Sequence, residues 1–434
     1  MEVWALIMFA VLMIAILIGY PVAFTLGAIA LLFGGIFLDF SFFNLLPMRI
    51  WGIMTNFTLL AVPLFVFMGI VLEKSGLAED LLETMGTLFG SLRGGLAISI
   101  IIVGAFLAAT TGVVGATVVT MGIIALPSLL KNGYSPYLAT GIIATSGTLG
   151  QIIPPSIILI LLADMIGVPV GRLFLGAVLP GILLISLYLA YVMIKAWRDP
   201  VSAPALNIDV DINWWRVIKT VLPIFILIFA VLGTIFIGIA TPTESAAFGA
   251  IGALILAHKR LSLQNLQEAM QHTARLTSMV FMILIGATAF GLVFRGMGGD
   301  RLVHEILTNL PGEAWGFMLI SLLIVFILGF FLDFLEICFI VVPILAPIAE
   351  FFQIDLLWFA ILIAVNLQTS FLTPPFGFSL FYLKAVAPPT MQITTIYKGV
   401  IPFIILQVIG LILLVLFPQI TLWLPNLIDS LIFD

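Results

Sequence analysis

Two short segments of this 434-residue chain carry residue types that can handle ions in apolar surroundings. They are "SGTLGQIIPPS" (Ser146 to Ser156) and "NLQTSFLTPPFGF" (Asn366 to Phe378). Each sets a run of Ser, Thr, Asn or Gln beside a Pro-Pro pair inside a long apolar region. Proline removes a backbone donor and clashes with the preceding turn, and glycine loosens what remains, so both segments break a helix. At membrane depth such backbone is tolerated only where it is buried in protein or lines a polar cavity. Carbonyls freed there can coordinate a small cation, and half-helix N-termini favour an anion. Upstream of each break lies a second irregular stretch, "TTGVVGAT" (Thr110 to Thr117) and "GFFLDFLE" (Gly329 to Glu336). The apolar segments flanking each are joined too abruptly for two full crossings, so each reads as the tip of a re-entrant hairpin. Kinks made only for packing are the alternative; two breaks at matching positions favour function.

The elements that must position these stretches are membrane helices. The chain is 63% hydrophobic and 9% charged, with a mean hydropathy of +1.31, far from a soluble globular composition. Apolar runs of spanning length recur from end to end. Val3 to Gly19 is expected to be a retained helix, since no small-residue cleavage site follows it. Cys338, the single cysteine, excludes an internal disulfide, and His258, His272 and His304 are scattered near span ends. No cluster with catalytic or metal-ligand spacing is present, so an enzyme is not expected. No GxxxxGK[ST] loop is present for an ATP-driven pump. Nothing resembles a basic nucleic-acid surface.

The sequence is written twice. Pro127, Pro154, Pro155 and Pro169 are matched by Pro347, Pro374, Pro375 and Pro389, all at an offset of 220 residues. "IGYPVAFTLGAIALLF" parallels "IATPTESAAFGAIGAL", and "VLEKSGLAEDLLE" parallels "VFRGMGGDRLVHE". Such duplication is a mark of transporter folds. The expected fold is an all-α polytopic membrane protein of two inverted-topology repeats. The first repeat covers 1–195, with a hairpin at 94–130 and a broken helix at 136–163. A cytoplasmic connector, 196–216, leads to the second repeat at 217–418, with a hairpin at 313–351 and a broken helix at 355–386. Residues 419–434 form a tail. Surface arms are expected at 42–52 and 262–274, a short surface helix near 77–90, and a span at 276–294. The breaks are placed at Gly147–Pro155 and Asn366–Gly377.

Charge tests the inversion. With the connector cytoplasmic, the inside collects Lys74, Arg93, Lys131, Lys195, Arg198, Arg216, Lys219, Lys259, Arg260, Arg275, Lys384 and Lys398. The outside keeps only Arg49, Arg172, Arg295 and Arg301. Twelve against four satisfies the positive-inside rule and puts the N-terminus outside.

The motifs "GYPVAFTLGA", "GATVVTMGIIALP", "SGTLGQIIPPS", "GRLFLGAVLPG", "TPTESAAFGA" and "LTPPFG" extend over roughly residues 18 to 402. In them the chain resembles the large membrane subunit of tripartite ATP-independent periplasmic (TRAP) transporters. "FFLDFLEICFIVVPILAP" and "TGVVGATVVTMG" are most similar to the branch with mannitol/chloroaromatic-type permease names. The resemblance implies a bacterial inner-membrane permease importing a small organic acid anion with Na+ as coupling ion and no other metal or cofactor. It implies two partners, a small four-helix membrane subunit and a periplasmic substrate-binding protein. It further implies an elevator motion, in which the hairpins and broken helices move together against the remaining spans.

Carried over by position, one Na+ site would use Thr110, Thr111, Gly112, Ser146, Gly147, Thr148 and Pro154. The other would use Gly329, Asp333, Ser370, Thr373 and Phe376. Gly115, Gln151, Asn366 and Gln368 are candidates for the substrate's vicinity. Many family members carry glycine at Ser370 and an aliphatic residue at Gln151. The Gln151 amide either reads a carboxylate or satisfies freed backbone groups. A self-sufficient Na+-coupled dicarboxylate or ion transporter of the same architecture is the alternative.

The remaining charged and aromatic groups divide by position. Asp333 and Glu336 beside an intramembrane tip read as part of an ion field or gate, or as a pair facing an aqueous vestibule. Asp164 and Lys384, at matching positions beyond the breaks, read as interfacial anchors or a gate. Glu244 reads as a helix cap. Phe330, Phe331 and Phe334 read as packing or lipid-facing groups.

Overall fold

The computed structural model describes residues 1–112, 114–206 and 213–433, and within them the chain is all helix and turn. Val113 of the first hairpin tip and part of the expected connector (207–212) lie outside the described residues. Six helices, counted without joining bent pairs, are long and apolar enough to cross a membrane, from Val114–Lys131 to Ile393–Leu416. Shorter apolar helices such as Glu2–Ile18, Val22–Phe37 and Pro242–Ala257 accompany them. This is a multi-pass membrane protein. With lipid as solvent, close packing and internal hydrogen bonding rather than apolar burial must hold such helices together.

The expected elements recur in both halves. The first hairpin has arms Gly95–Thr111 and Val114–Lys131. The second has Glu313–Leu328 and a return arm that starts at Phe334, passes one π-turn at Ile337–Val341 and ends as Val342–Phe351. The first broken helix is Pro136–Thr148, a 3₁₀ turn at Leu149–Gln151, then Ile157–Ile166. The second is Leu356–Leu372, then Phe378–Val386.

Three expectations are corrected and one element is added. The arm at 262–274 and the span at 276–294 are one helix, Leu263–Gly296, of 34 residues. Ser262 caps its start by accepting from the Asn265 N–H at 3.0 Å, and no glycine or proline interrupts it before Gly286. The second break does not begin at Asn366: helix continues to Leu372, because "NLQTSFL" lacks the glycines that loosen "SGTLG". A short amphipathic helix, Gly299–Thr308, follows the long one and corresponds to Leu77–Phe89 of the first half. Finally, the expected tail is a packed helix: Gln419–Phe433 lies along Val170–Arg198, with Thr421 buried.

The halves are exchanged rather than stacked. Val22–Phe37 packs along Leu263–Gly296, and reciprocally Pro242–Ala257 packs along Ala61–Lys74. Pro136–Thr148 of the first broken helix packs on Ile393–Leu416, while Leu356–Leu372 of the second packs on Val170–Arg198. Small residues permit the close crossings. A Cβ on Gly399 would lie 2.5 Å from the Thr140 hydroxyl, and one on Gly286 would lie 2.5 Å from the Ala23 carbonyl.

The basic residues that the sequence assigns to one side or the other are tied to acids near them in space. Lys74, Arg216 and Arg260 of the inside set pair with Glu268, Glu83 and Asp80. Arg172 and Arg301 of the outside set pair with Asp429 and Glu2. The connector segment 202–206 is stitched to the base of the first hairpin and broken helix. Gly94 N–H donates to the Ala203 carbonyl, Ser135 N–H to that of Ser202, and Leu206 N–H to that of Gly90.

Candidate functional site

The first break is seated between the arms of the first hairpin. Gly104 faces Ser146, where a Cβ would come within 2.5 Å of the serine Cβ, and Gly147 lies directly against Val118. Gly112 ends the first arm with φ of 61°, a left-handed conformation that glycine adopts without steric cost, and its N–H donates to the Ala108 carbonyl. The tip is laced by hydroxyls: Thr111 and Thr117 share a 2.7 Å hydrogen bond, and Thr110 donates to the Leu107 carbonyl at 2.9 Å. The helix Ala61–Lys74 closes on this tip through Gly69, whose missing side chain leaves room for the Thr110–Thr111 backbone. Thr110, Thr111, Ser146 and Thr148 are all buried, and the break meets the hairpin through its arms, Ser146 at Gly104 and Gly147 at Val118, while Gly112 at the tip faces Ile157.

The second tip and break meet in the same way. Gly329 faces Ser370, whose hydroxyl occupies the space a Cβ would take. Ser370 donates to the Leu367 carbonyl at 2.8 Å and Thr373 to the Thr369 carbonyl at 2.7 Å, so both hydroxyl oxygens keep lone pairs. Phe376 stands apart: it is 47% exposed and its ring packs on Phe331 at 5.3 Å. Phe334 lies 6.3 Å from Phe371, so the phenylalanines of this tip do pack.

The prolines leave matched marks. Pro155 and Pro375 cannot donate to the carbonyls four residues before them, those of Gln151 and Phe371. A serine hydroxyl takes each: Ser156 donates to Gln151 at 3.0 Å, and Ser379 to Phe371 at 2.8 Å. The Pro375 carbonyl accepts from the Tyr397 hydroxyl at 2.9 Å. Both Pro-Pro bonds, 154–155 and 374–375, are cis. Some carbonyls released by the breaks are therefore already satisfied by side chains.

Thr148 and Gln368 are equivalent positions in the two halves, and they touch. The Gln368 amide donates to the Thr148 hydroxyl at 3.3 Å. Residues related by the repeat can meet only near the axis that relates the halves, and both members of this pair are fully buried there. Its polarity is unfinished. Gln368 Oε1 and both amide atoms of Gln151 are buried without a hydrogen-bond partner among the described residues. A buried unpaired amide is costly, and such groups call for a ligand or water. Asn366, by contrast, is spent on the Leu322 carbonyl at 2.6 Å.

Asp333 and Glu336 form a reciprocal cap. Glu336 accepts from the Asp333 N–H at 2.7 Å, and Asp333 from the Phe334 N–H at 2.7 Å, which fixes the start of the return arm. Asp164 accepts from Asn56 and Lys384 donates to the Met391 carbonyl, so the two do not bridge each other. Glu244 does cap its helix, through Thr241. Tyr382 is the residue that sequence reading missed. Its ring lies over Gly115 of the first hairpin, 3.2 Å from where a Cβ would stand. It links the second broken helix to the first hairpin, and nothing local in "SLFYLKAV" marks it.

Comparison with known proteins agrees with this architecture. Residues 6–420 match the family described as the tripartite ATP-independent periplasmic transporter, DctM component. The C4-dicarboxylate TRAP transporter large permease protein DctM of Pseudomonas aeruginosa is 30% identical over 386 residues, 88% of this chain and 89% of that one. The sialic acid TRAP transporter large permease protein SiaM of Vibrio cholerae is 30% identical over 414 residues, 94% and 95% of the two chains. The fold resembles the crystal structure of the Alcanivorax borkumensis YdaH transporter with a TM-score of 0.65, covering 94% of this chain and 97% of that one. At 14% identity that likeness concerns the fold alone.

Proposed function

The chain belongs to the DctM component family of tripartite ATP-independent periplasmic transporters, and from that premise we propose that it imports a small organic acid anion driven by Na+. It is a TRAP transporter large permease, a transporter and not an enzyme. The observation that carries the finer reading is the contact of the two broken helices at the Thr148–Gln368 pair, each seated on its own hairpin, beside unpaired buried amides. Hydroxyl and carbonyl oxygens packed without bulk solvent suit a hard monovalent cation such as Na+. The free Gln151 Nε2 can donate to the carboxylate oxygens of an organic acid, and the Gln368 Oε1 can accept from a hydroxyl or face the cation. Na+ at the tips would strengthen an anion's binding between them, which is coupling in energetic terms.

The proposal includes inner-membrane placement with the N-terminus periplasmic. It includes a small four-helix partner, implied by the word "large" in the relatives' names, and a soluble binding protein that captures the acid. It also includes the elevator motion and the mannitol/chloroaromatic-type branch. The relatives transport C4-dicarboxylates or sialic acid by name, and succinate and sialic acid are therefore the probes.

The test is uptake into liposomes holding this chain, its small subunit and its binding protein. An inward Na+ gradient should drive accumulation, and K+ in place of Na+ should abolish it. Thr373→Ala should raise the half-saturating Na+ by about five- to thirtyfold, the equivalent of roughly 1–2 kcal/mol. Uptake that ignores Na+ would remove the coupling. Full uptake without the binding protein would favour the self-sufficient alternative.

A further inference from the structure

A cavity of about 340 Å³ opens away from the tips, beside the end of the first broken helix. One wall is built by Leu46–Met54 and Leu263–Gly296, the other by Ile157–Ile166 and the return arm of the second hairpin. Arg49, Arg295, Asp300, Asn56 and Asp164 line it.

The arginines are the unusual feature. Of the four on this side, Arg172 is paired with Asp429 and Arg301 with Glu2. Arg49 and Arg295 share this cavity, yet among the described residues neither has a carboxylate within 4.0 Å. Asp164 is engaged by the Asn56 amide at 2.7 Å, and the Asn56 oxygen in turn accepts from the Thr58 N–H at 2.9 Å. Asp300 also lines the cavity but stands beyond ion-pair distance of both arginines. Asp164 and Asp300 balance the two arginines in formal charge across the cavity, but neither forms an ion pair with them, which leaves both guanidinium forks able to take an incoming anion. The planar donor set of arginine matches a carboxylate with two parallel hydrogen bonds. The volume is that of a small-ligand site.

We propose that this cavity is a carboxylate-binding site, in which Arg49 and Arg295 hold the organic acid at the outer mouth before it reaches the hairpin tips. The proposal rests on the orientation and cargo proposed above. Its two walls belong to different sets of helices, so displacement of the hairpins and broken helices against the others would change its width and release the acid.

The test is equilibrium binding of radiolabelled succinate and of sialic acid to the purified chain with its small subunit, in detergent and without the binding protein. Arg49→Gln and Arg295→Gln should each raise the half-saturating concentration of the acid that wild type binds by about tenfold or more. Arg49→Lys and Arg295→Lys should recover part of the affinity, and Arg172→Gln should change nothing. The Na+ requirement for binding should move by less than about twofold, because these arginines lie off the Na+ positions. Unchanged affinity in both glutamine variants overturns the proposal, as does binding of neither acid by wild type. Loss of copurifying phosphatidylglycerol with acid affinity intact also overturns it, assigning the cavity to a lipid headgroup. Failure of Na+-driven uptake with arginine-dependent binding preserved would remove the coupling and leave this site standing.

Discussion

Ser156 and Ser379 supply what the prolines take away. Each gives a hydroxyl proton to a carbonyl that a Pro-Pro pair has cut out of its helix, at 3.0 Å and 2.8 Å. Removing either hydroxyl would leave a fully buried acceptor without its donor. In a membrane bundle that loss amounts to roughly 0.5–2 kcal/mol, since a chain unfolded in lipid also finds partners. Ser156→Ala and Ser379→Ala are each expected to lower the thermal midpoint of the purified protein. Ser→Thr, which keeps the hydroxyl, should recover stability where the extra methyl fits. A midpoint unmoved in both alanine variants would mean that water satisfies these carbonyls.

At the scale of elements, the legible features were those with a local cause. Pro-Pro pairs, hairpin glycines and the 220-residue offset all mark the chain where they act. The continuous Leu263–Gly296 helix was hidden because polar residues 264–275 look like a separate surface arm, while nothing in them stops a helix. Asn366 to Leu372 looked broken because they are polar, but polarity without proline or glycine leaves helix intact. The contacts of Tyr382 with Gly115 and of Thr148 with Gln368 are long-range and leave no local pattern. Sidedness is a property of elements, and the ion pairs tie the assigned basic residues to acids near them in space. On a Cys338→Ser background, a membrane-impermeant thiol reagent applied outside should label Asn309→Cys and spare Val201→Cys. Both positions are exposed. The opposite labelling pattern would reverse the orientation.

For the whole molecule, the exchange of helices between halves decides how it can fold. Val22–Phe37 finds its main neighbour in Leu263–Gly296, and Ala61–Lys74 finds one in Pro242–Ala257. Tyr188 and Tyr191 of the first half meet Phe403 of the second edge-on. A half made alone would therefore expose the glycine-lined faces at Gly141 or Gly286, together with buried polar groups such as Gln407, to lipid that cannot satisfy them. Insertion into the membrane needs only apolar spans, which each half has; assembly needs the partner faces. Chains of residues 1–206 and 213–434 should each insert separately, yet neither should extract as a single monodisperse species. Expressed together, they should copurify and recover acid binding, because the reciprocal helix pairs, not the connector, hold the halves. A monodisperse, protease-resistant first half on its own would show that the repeats are independent domains.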